Sequence, residues 1–422
     1  MKKKSNLFRL TPILSVVLVI FLTFISAHAA VFNALDIALT PGKSISELNI
    51  SWYSTSRTES LVQIALKSSM TGSEFPADTA NSFYCTSNSA ASGYYSNKST
   101  VTALSPATSY VYRIGDGLGN WSSNYFYTTG SGTQFSFFAV GDPQIGAGSI
   151  ASDTTGWNET ITKAINQFPN ASFIMSAGDQ VNTNNSESNF TGFFSPANFT
   201  SIPLAPALGN HDNGALNYGY HFNLPNISNV YGITSPGSGD YYYTYGNTLF
   251  MVLNTNNTSG TTHQTFIKNA VAANPNKTWK IVTFHHDIYG SGSHALESSI
   301  IKLRNALYPI FDSYGIDIVI TGHDHSYTRT YVMKGNVPQL TQTYDTNGAV
   351  VNPSGTVYFT LNSSSGSKYY DLNGTQANYV AVRSQVNAPT FSYVSINGSS
   401  LSFDTYRTDS MTKTDSFSIV KK

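Results

Sequence analysis

GDPQIG at Gly141–Gly146, GDQV at Gly178–Val181, GNHD at Gly209–Asp212, HHD at His285–Asp287 and GHDH at Gly322–His325 each close an apolar run. The runs are Phe135–Val140, Phe173–Ala177, Ile202–Leu208, Trp279–Phe284 and Ile316–Thr321. They are short, continuous and rich in Val, Ile and Phe, the pattern of strands buried on both faces. In open α/β sheets, ligands bind beyond the carboxyl ends of the strands. Asp, Asn and His released at five such ends bring hard and borderline metal donors to one edge.

Between these runs the apolar spacing turns helical. Thr155–Phe168, Thr262–Ala273 and Ser298–Phe311 carry apolar residues three and four apart, and Pro309 is expected to bend the last. Hairpins are expected over Asp240–Asn254, turning at Gly246-Asn247, and Phe391–Arg407, turning at Asn397-Gly398. Tyr358–Asn362 is a further strand. The sum is a mixed sheet layer with helices outside, as two sheets face to face.

Before Ser131-Gly132-Thr133 the grammar differs. Val31 to Gly130 reads as short strands and turns, with Leu48, Ile50 and Trp52 alternating inward in SELNISWY. About a hundred residues of this kind suggest a β-sandwich. LSPATSYVYRIGDG (Leu104–Gly117) resembles the turn-and-strand signature of fibronectin type III-like domains, in which a Leu and a Tyr plug the core.

Met1–Ala30 reads as an export signal: Lys2, Lys3, Lys4 and Arg9, an apolar centre over Ile13–Ile25, then Ala27-His28-Ala29. That places the mature protein outside the cytoplasm, secreted or periplasmic, with no membrane association after cleavage. The chain has 23 Lys+Arg and 23 Asp+Glu, so no net field recruits a nucleic acid polymer. Its single cysteine, Cys85, excludes an internal disulfide and reads as a small half-buried hydrophobe.

Two metal ions about 3.5–4 Å apart need a bridging carboxylate and terminal ligands on each. Asp179 stands where a bridge would; Asp142 and His325 suit one ion, and Asn210, His285 and His323 the other. His323 and His325 alternate, so an extended segment points both the same way. A water shared by the ions would ionise near neutral pH and attack a phosphorus in line. A lone GD after a strand is usually a turn or a helix cap. Five such pieces in conjunction are not what packing alone produces.

The order D-x-x…GD…GNHD…H…GHxH resembles the signature of calcineurin-like metallophosphoesterases, and with the preceding β-domain the chain looks like purple acid phosphatases. The resemblance implies an αββα four-layer α+β sandwich over residues 133–422, preceded by an all-β fibronectin type III-like domain over 31–130 and a signal peptide over 1–30. It implies a secreted phosphatase acting on small phosphomonoesters through two metal ions, Fe, Zn or Mn. It places Asp142, Asp179 and His325 on the first ion, and Asp179, Asn210, His285 and His323 on the second. His285 rather than His286 is carried over, because the ligand His is followed four residues later by a Tyr, here Tyr289. His294 falls at the substrate-contacting histidine and general acid, and His211 is the other candidate proton donor.

Two positions depart from the pattern. Gln144 stands where most metallophosphoesterases have a His, and Asn182 where the purple enzymes have a Tyr. Gln144 either lends an amide oxygen to the first ion or orients its water. Without a tyrosinate the purple charge-transfer colour is not expected. Two other readings keep the same residues: a phosphodiesterase or nucleotidase tuned by the loops Ser186–Asn198 and Gly214–Tyr243, and a non-catalytic surface binding protein with a degenerate site.

Overall fold

The computed structural model describes Met1 and residues 32–57 and 59–422. The export signal expected over residues 1–30 lies, beyond Met1, outside them. Among the described residues no helix is long and apolar enough to cross a membrane.

The amino-terminal strands are β1 (Leu35–Pro41), β2 (Leu48–Ser54), β3 (Leu61–Leu66), β4 (Asn81–Tyr84), β5 (Thr86–Ser89), β6 (Tyr95–Val101), β7 (Ser109–Gly115) and β8 (Tyr125–Thr128). They form two four-stranded sheets, in the orders β1-β2-β6-β5 and β4-β3-β7-β8. The inward residues Leu48, Ile50 and Trp52 meet Val62, Ile64, Tyr112 and Ile114 in one core. Leu104 and Tyr110 join it, and the Tyr110 hydroxyl accepts the Ser105 N–H at 2.8 Å, fixing the turn to its strand. Cys85 packs beside this core half-buried, and burial pushes its thiol up to about 11.

The rest of the chain alternates strands and helices: β9 (Gln134–Val140), α1 (Ile150–Gln167), β10 (Ile174–Ser176), α2 (Glu187–Phe193), β11 (Leu204–Pro206), α3 (Asn217–His221), β12 (Tyr241–Tyr245), β13 (Thr248–Val252), α4 (Gly260–Ala273), β14 (Trp279–Thr283), α5 (Ser298–Tyr314) and β15 (Ile318–Thr321). Strands then predominate: β16 (Tyr327–Thr330), β17 (Val332–Lys334), β18 (Val337–Gln339), β19 (Val350–Val351), β20 (Val357–Thr360), β21 (Val380–Ser384), β22 (Thr390–Asn397), β23 (Ser400–Arg407) and β24 (Lys413–Val420). One seven-stranded sheet runs β11-β10-β9-β22-β23-β24-β19 and the other β12-β13-β14-β15-β20-β16-β21. The strands that precede the polar stretches are parallel within each sheet.

Strands buried on both faces sort their side chains by parity. Phe250 and Val252 of β13, Ile281 of β14 and Ile320 of β15 face the other sheet, where Phe137, Phe173 and Phe403 wait. Phe359 of β20 stacks on Phe403 of β23 at 3.8 Å between ring centres. The alternate residues Leu249, Met251, Val282 and Val319 turn outward to Phe266 and Ile267 of α4 and Leu303, Leu307 and Phe311 of α5. On the opposite side α1 lays Trp157, Ile161 and Ala164 on the first sheet. The layers are therefore helix, sheet, sheet, helix.

Several sequence expectations shift. α1 starts five residues before Thr155, where Ser149 caps it by accepting the Ser152 N–H; the run Ser152–Gly156 that follows Ile150 and Ala151 breaks the apolar period there. Pro309 sits inside α5, and the helix still runs to Tyr314 and stops at Gly315 in the left-handed region, φ 60°. The loop Ser186–Asn198 contains α2, whose Phe190 and Phe193 are buried in the core. Tyr218, Phe222, Tyr241 and Tyr243 are likewise core, and the Tyr218 and Tyr241 hydroxyls both donate to the Pro206 carbonyl.

The two parts are clasped along α3. Lys98 Nζ donates to the Phe222 carbonyl at 2.6 Å, Ser96 Oγ to that of Tyr220 at 2.6 Å and Thr40 Oγ1 to that of Asn223 at 2.5 Å. Asn223 Nδ2 returns a bond to the Ser99 carbonyl at 2.9 Å. Burial lowers the Lys98 ammonium to about 8.

One buried ion pair steadies the loop after β13. His263 Nδ1 lies 2.7 Å from Asp240 Oδ2, and its Nε2 lies 2.7 Å from the Asn257 carbonyl. Both partners are acceptors, so both ring nitrogens carry protons. Burial opposes that charge, but Asp240 outweighs it and His263 titrates above its ordinary value. A raised folded pKa contributes stability fully below the unfolded value, about 6.5, and loses it as pH climbs through the folded value. His263→Gln should therefore cost about 3–5 kcal/mol at pH 6, with the deficit shrinking as pH rises. Urea unfolding of both proteins across that range measures it.

Candidate metal centre

Each polar stretch hangs from the end of its strand. β9 delivers Asp142, β10 Asp179 and β11 Asn210 from one sheet; β14 delivers His285, and β15 His323 and His325, from the other. The edge where the sheets meet is therefore supplied from both sides. Asp142, Asp179 and His285 each place a ligand atom within 4.8 Å of the other two, and all three are buried.

His285 Nε2 is the focus. Asn210 Oδ1 is 2.8 Å from it, His323 Nδ1 3.0 Å and Asp179 Oδ2 3.3 Å. Its Nδ1 faces the Ala177 carbonyl at 3.0 Å, which keeps a proton on Nδ1; burial opposes a second proton, but Asp179 and Asp142 raise the ring to about 9, so Nε2 becomes a donor atom when a cation displaces that proton. On the other side His325 Nε2 lies 3.5 Å from Asp142 Oδ1, with His325 Nδ1 held by the Lys368 carbonyl at 2.9 Å. Separations of about 3 Å between donor atoms match ligands spaced around an ion at bond lengths of about 2 Å.

The backbone is bent to make this possible. Asp142, Gln144, Asp179, His323 and His325 all have positive φ, between 38° and 72°, and such strain in non-glycine residues persists where the surroundings enforce it. Gly209 is required by space: a Cβ there would overlap the Asp179 carboxylate.

Charge behaves as the crowding demands. Burial, then the Asp179 carboxylate, hold Asp142 well above the carboxylate range, against the pull of His285. Burial also opposes ionisation of Asp179, but His285 and the His211 N–H outweigh it and keep its carboxyl low. Burial pushes His325 down to about 4 and His323 well below its ordinary value, with neighbouring imidazoles adding to both. Both rings are neutral at pH 7, the form that ligates.

The two departures from the sequence pattern meet each other. Gln144 Nε2 donates to Asn182 Oδ1 at 3.3 Å, and Gln144 Oε1 is buried with no hydrogen-bond partner. An orphaned amide oxygen among carboxylates and imidazoles fits a cation. The donor set as a whole, two carboxylates, an amide of Asn and three imidazoles, fits two ions of the Fe, Zn or Mn kind.

His294 and His211 flank the cluster. The His294 ring lies 4.3 Å from that of His323, with Nδ1 2.6 Å from Glu297 Oε1. His211 donates its backbone N–H to Asp179 Oδ1 at 2.9 Å, and its Nδ1 meets the Asn182 carbonyl at 3.0 Å. His286 is turned aside to Thr255 Oγ1 at 2.7 Å, and burial drops it to about 3.

Sequence reasoning passed over the acids that hold these loops. Asp212 is buried and accepts the Gly209 and Val181 N–H groups at 2.9 and 3.1 Å, joining two of the polar stretches. Burial, then Asp179, raise it to about 7. Asp324 accepts the His294 N–H at 3.0 Å and that of Gly292. Both sat in plain view, as the last letter of GNHD and the third of GHDH.

Layered sheets with Asp, Asn and His gathered at one edge define a fold built around a cluster of metal-type donors. Residues 135–327 match the family model for calcineurin-like phosphoesterases, and residues 34–129 that for the purple acid phosphatase N-terminal domain. In these two matches the chain resembles the calcineurin-like phosphoesterases, in the two-part arrangement of purple acid phosphatases. Its fold is similar to that of a purple acid phosphatase from yellow lupin (Lupinus luteus) seeds, at 19% identity and a TM-score of 0.74, over 93% of this chain and 75% of that one. A weaker likeness is to GAP50, the anchor in the inner membrane complex of Plasmodium, at 16% identity and a TM-score of 0.47, over 69% and 90%. No curated protein sequence matches the chain.

Asp212→Ala should lower metal affinity about 10- to 100-fold, the usual cost of removing a group that orients ligands. Competition with a chelator reads this directly, and unchanged affinity would strip Asp212 of that role.

Proposed function

We propose that this chain is an exported dinuclear-metal phosphatase that hydrolyses phosphomonoesters. The observation that carries the reading is the convergence of Asp179, Asn210 and His323 on His285 Nε2, within 3.3 Å. When bound, the two ions supply an ionised water near neutral pH and offset charge on the phosphoryl oxygens.

The chain's own residues do the rest. Asp142, Asp179 and His325 would hold the first ion, and Asp179, Asn210, His285 and His323 the second. Gln144 gives its unpartnered Oε1 to the first ion in place of the usual imidazole. A cavity of about 260 Å³ beside the cluster, lined by Asn210, Thr255, His286, His294 and His323 among others, receives the ester group. Among the described residues no Lys or Arg lines it, so the phosphate's charge falls to the ions. His294 is turned by Glu297 so that its other nitrogen is free to protonate the leaving alkoxide. His211 stands second in line for that proton. Export rests on the Lys-rich, apolar and Ala-His-Ala segments before residue 31.

The purified protein loaded with Mn²⁺, Zn²⁺ or Fe²⁺ should release phosphate from p-nitrophenyl phosphate much faster than it cleaves the bis ester. The reverse preference would make it a diesterase, and activity on neither with two ions bound would make it a binding protein. Asp179→Asn should abolish turnover and deplete both ions in elemental analysis. His294→Ala should slow turnover about 10²- to 10⁴-fold with the metal retained. The iron-loaded protein should show no strong visible charge-transfer band, since Asn182 supplies no phenolate.

A further inference from the structure

A second group of metal-type donors lies on the seam between the two parts of the chain, away from the sheet edge just described. Asp36 of β1, Glu187 at the start of α2 and His221 at the end of α3 each bring a ligand atom within 4.8 Å of the other two. Asp36 sits in a local break of β1: its φ is 46°, and the pairing with β2 shifts register between Leu35 and Ala38. Such bulges re-aim a side chain out of its ladder.

The surrounding groups hold the donors still. Glu187 Oε1 accepts the Tyr53 hydroxyl at 3.1 Å and the Asn217 amide at 2.6 Å, leaving Oε2 to His221 Nε2 at 2.9 Å. A Thr191 hydroxyl bonds Asp36. The His221 ring is stacked between Tyr53 and Phe190, at 4.3 and 4.4 Å between ring centres, and is 1% exposed. Its Nδ1 has no hydrogen-bond partner.

That ring is poorly served by protons alone. With Nε2 protonated toward Glu187, Nδ1 keeps a buried lone pair and no donor. With Nδ1 protonated, the Nε2 lone pair faces a carboxylate oxygen at 2.9 Å, which is repulsive. Among the described residues no Lys or Arg forms an ion pair with Asp36 or Glu187, so two carboxylates share one imidazole. A cation turns the opposed lone pairs of Nε2 and Glu187 into ligands and balances both carboxylates.

We propose that Asp36, Glu187 and His221 form a third cation site that takes Zn²⁺ and ties the amino-terminal sheet to the catalytic part. One imidazole and two carboxylates with a water in the fourth position is a set that zinc accepts. Asp36 and Glu187 are only part-buried, which leaves the ion a way in. The site does not depend on the phosphatase reading, and it acts on cohesion rather than on chemistry.

Asp36→Asn in the full mature chain is the deciding variant, since Asp36 is the partly exposed donor. Zinc-loaded wild type should hold one ion more per chain than Asp36→Asn, and anomalous diffraction at the zinc edge should place that ion on the seam. Added zinc should raise the melting temperature of wild type more than that of the variant, with phosphate release unchanged between them. Equal zinc content in the two proteins, or no anomalous peak on the seam, overturns the proposal. His221→Gln should repeat the loss; should it fail to fold, Asp36→Asn still decides. Loss of hydrolysis with the seam ion in place would instead count against the phosphatase reading alone.

Discussion

Two carboxylates, Asp142 and Asp179, are buried together at the sheet edge, and the structure around them makes that tolerable. Burying one ionised carboxylate without compensation is costly, and burying two side by side compounds it. The sequence of responses is visible in the structure. His285 is set between them, backbone N–H groups of His211 and His323 point at their oxygens, and neutral imidazoles complete the ring. Left-handed backbone at both aspartates is maintained by strands locked into two sheets.

What the sequence disclosed and what it hid divide along physical lines. Strands that are apolar on both faces announce themselves, because nothing but burial explains runs such as Trp279–Phe284; their polar terminations then mark the edge. Asp142, Asp179, Asn210, His285, His323 and His325 were legible for that reason, and the structure brings them together. Helix starts were less legible, since after Ile150 and Ala151 α1 runs through Ser, Asp, Thr, Thr and Gly before its apolar period begins at Trp157. Asp212 and Asp324 were passed over because their work is to hold backbone N–H groups of distant segments, a relation that spacing along the chain does not encode. The seam residues Asp36, Glu187 and His221 were invisible for the same reason, being brought together only when the two parts dock.

Gln144 and Asn182 are instructive as a pair. Read separately, each looks like the loss of a ligand. In the folded chain they bond each other, which leaves one amide oxygen, Gln144 Oε1, without a hydrogen-bond partner. The exchange removes an anionic, strongly polarisable donor and substitutes a neutral oxygen, which lowers the preference for a trivalent ion. Around them Asp142, Asp179 and His285 still bring their ligand atoms within 4.8 Å of one another.

The clasp on α3 also has a bearing on how the molecule comes into being. Its bonds join residues more than a hundred positions apart, Ser96 with Tyr220 and Thr40 with Asn223 among them. Segments that rely on such distant partners cannot settle early by local preference. During synthesis from the amino end, the β-domain emerges and folds first. The later segment then meets a finished surface bearing hydroxyls and an ammonium, and is moulded on it as on a template.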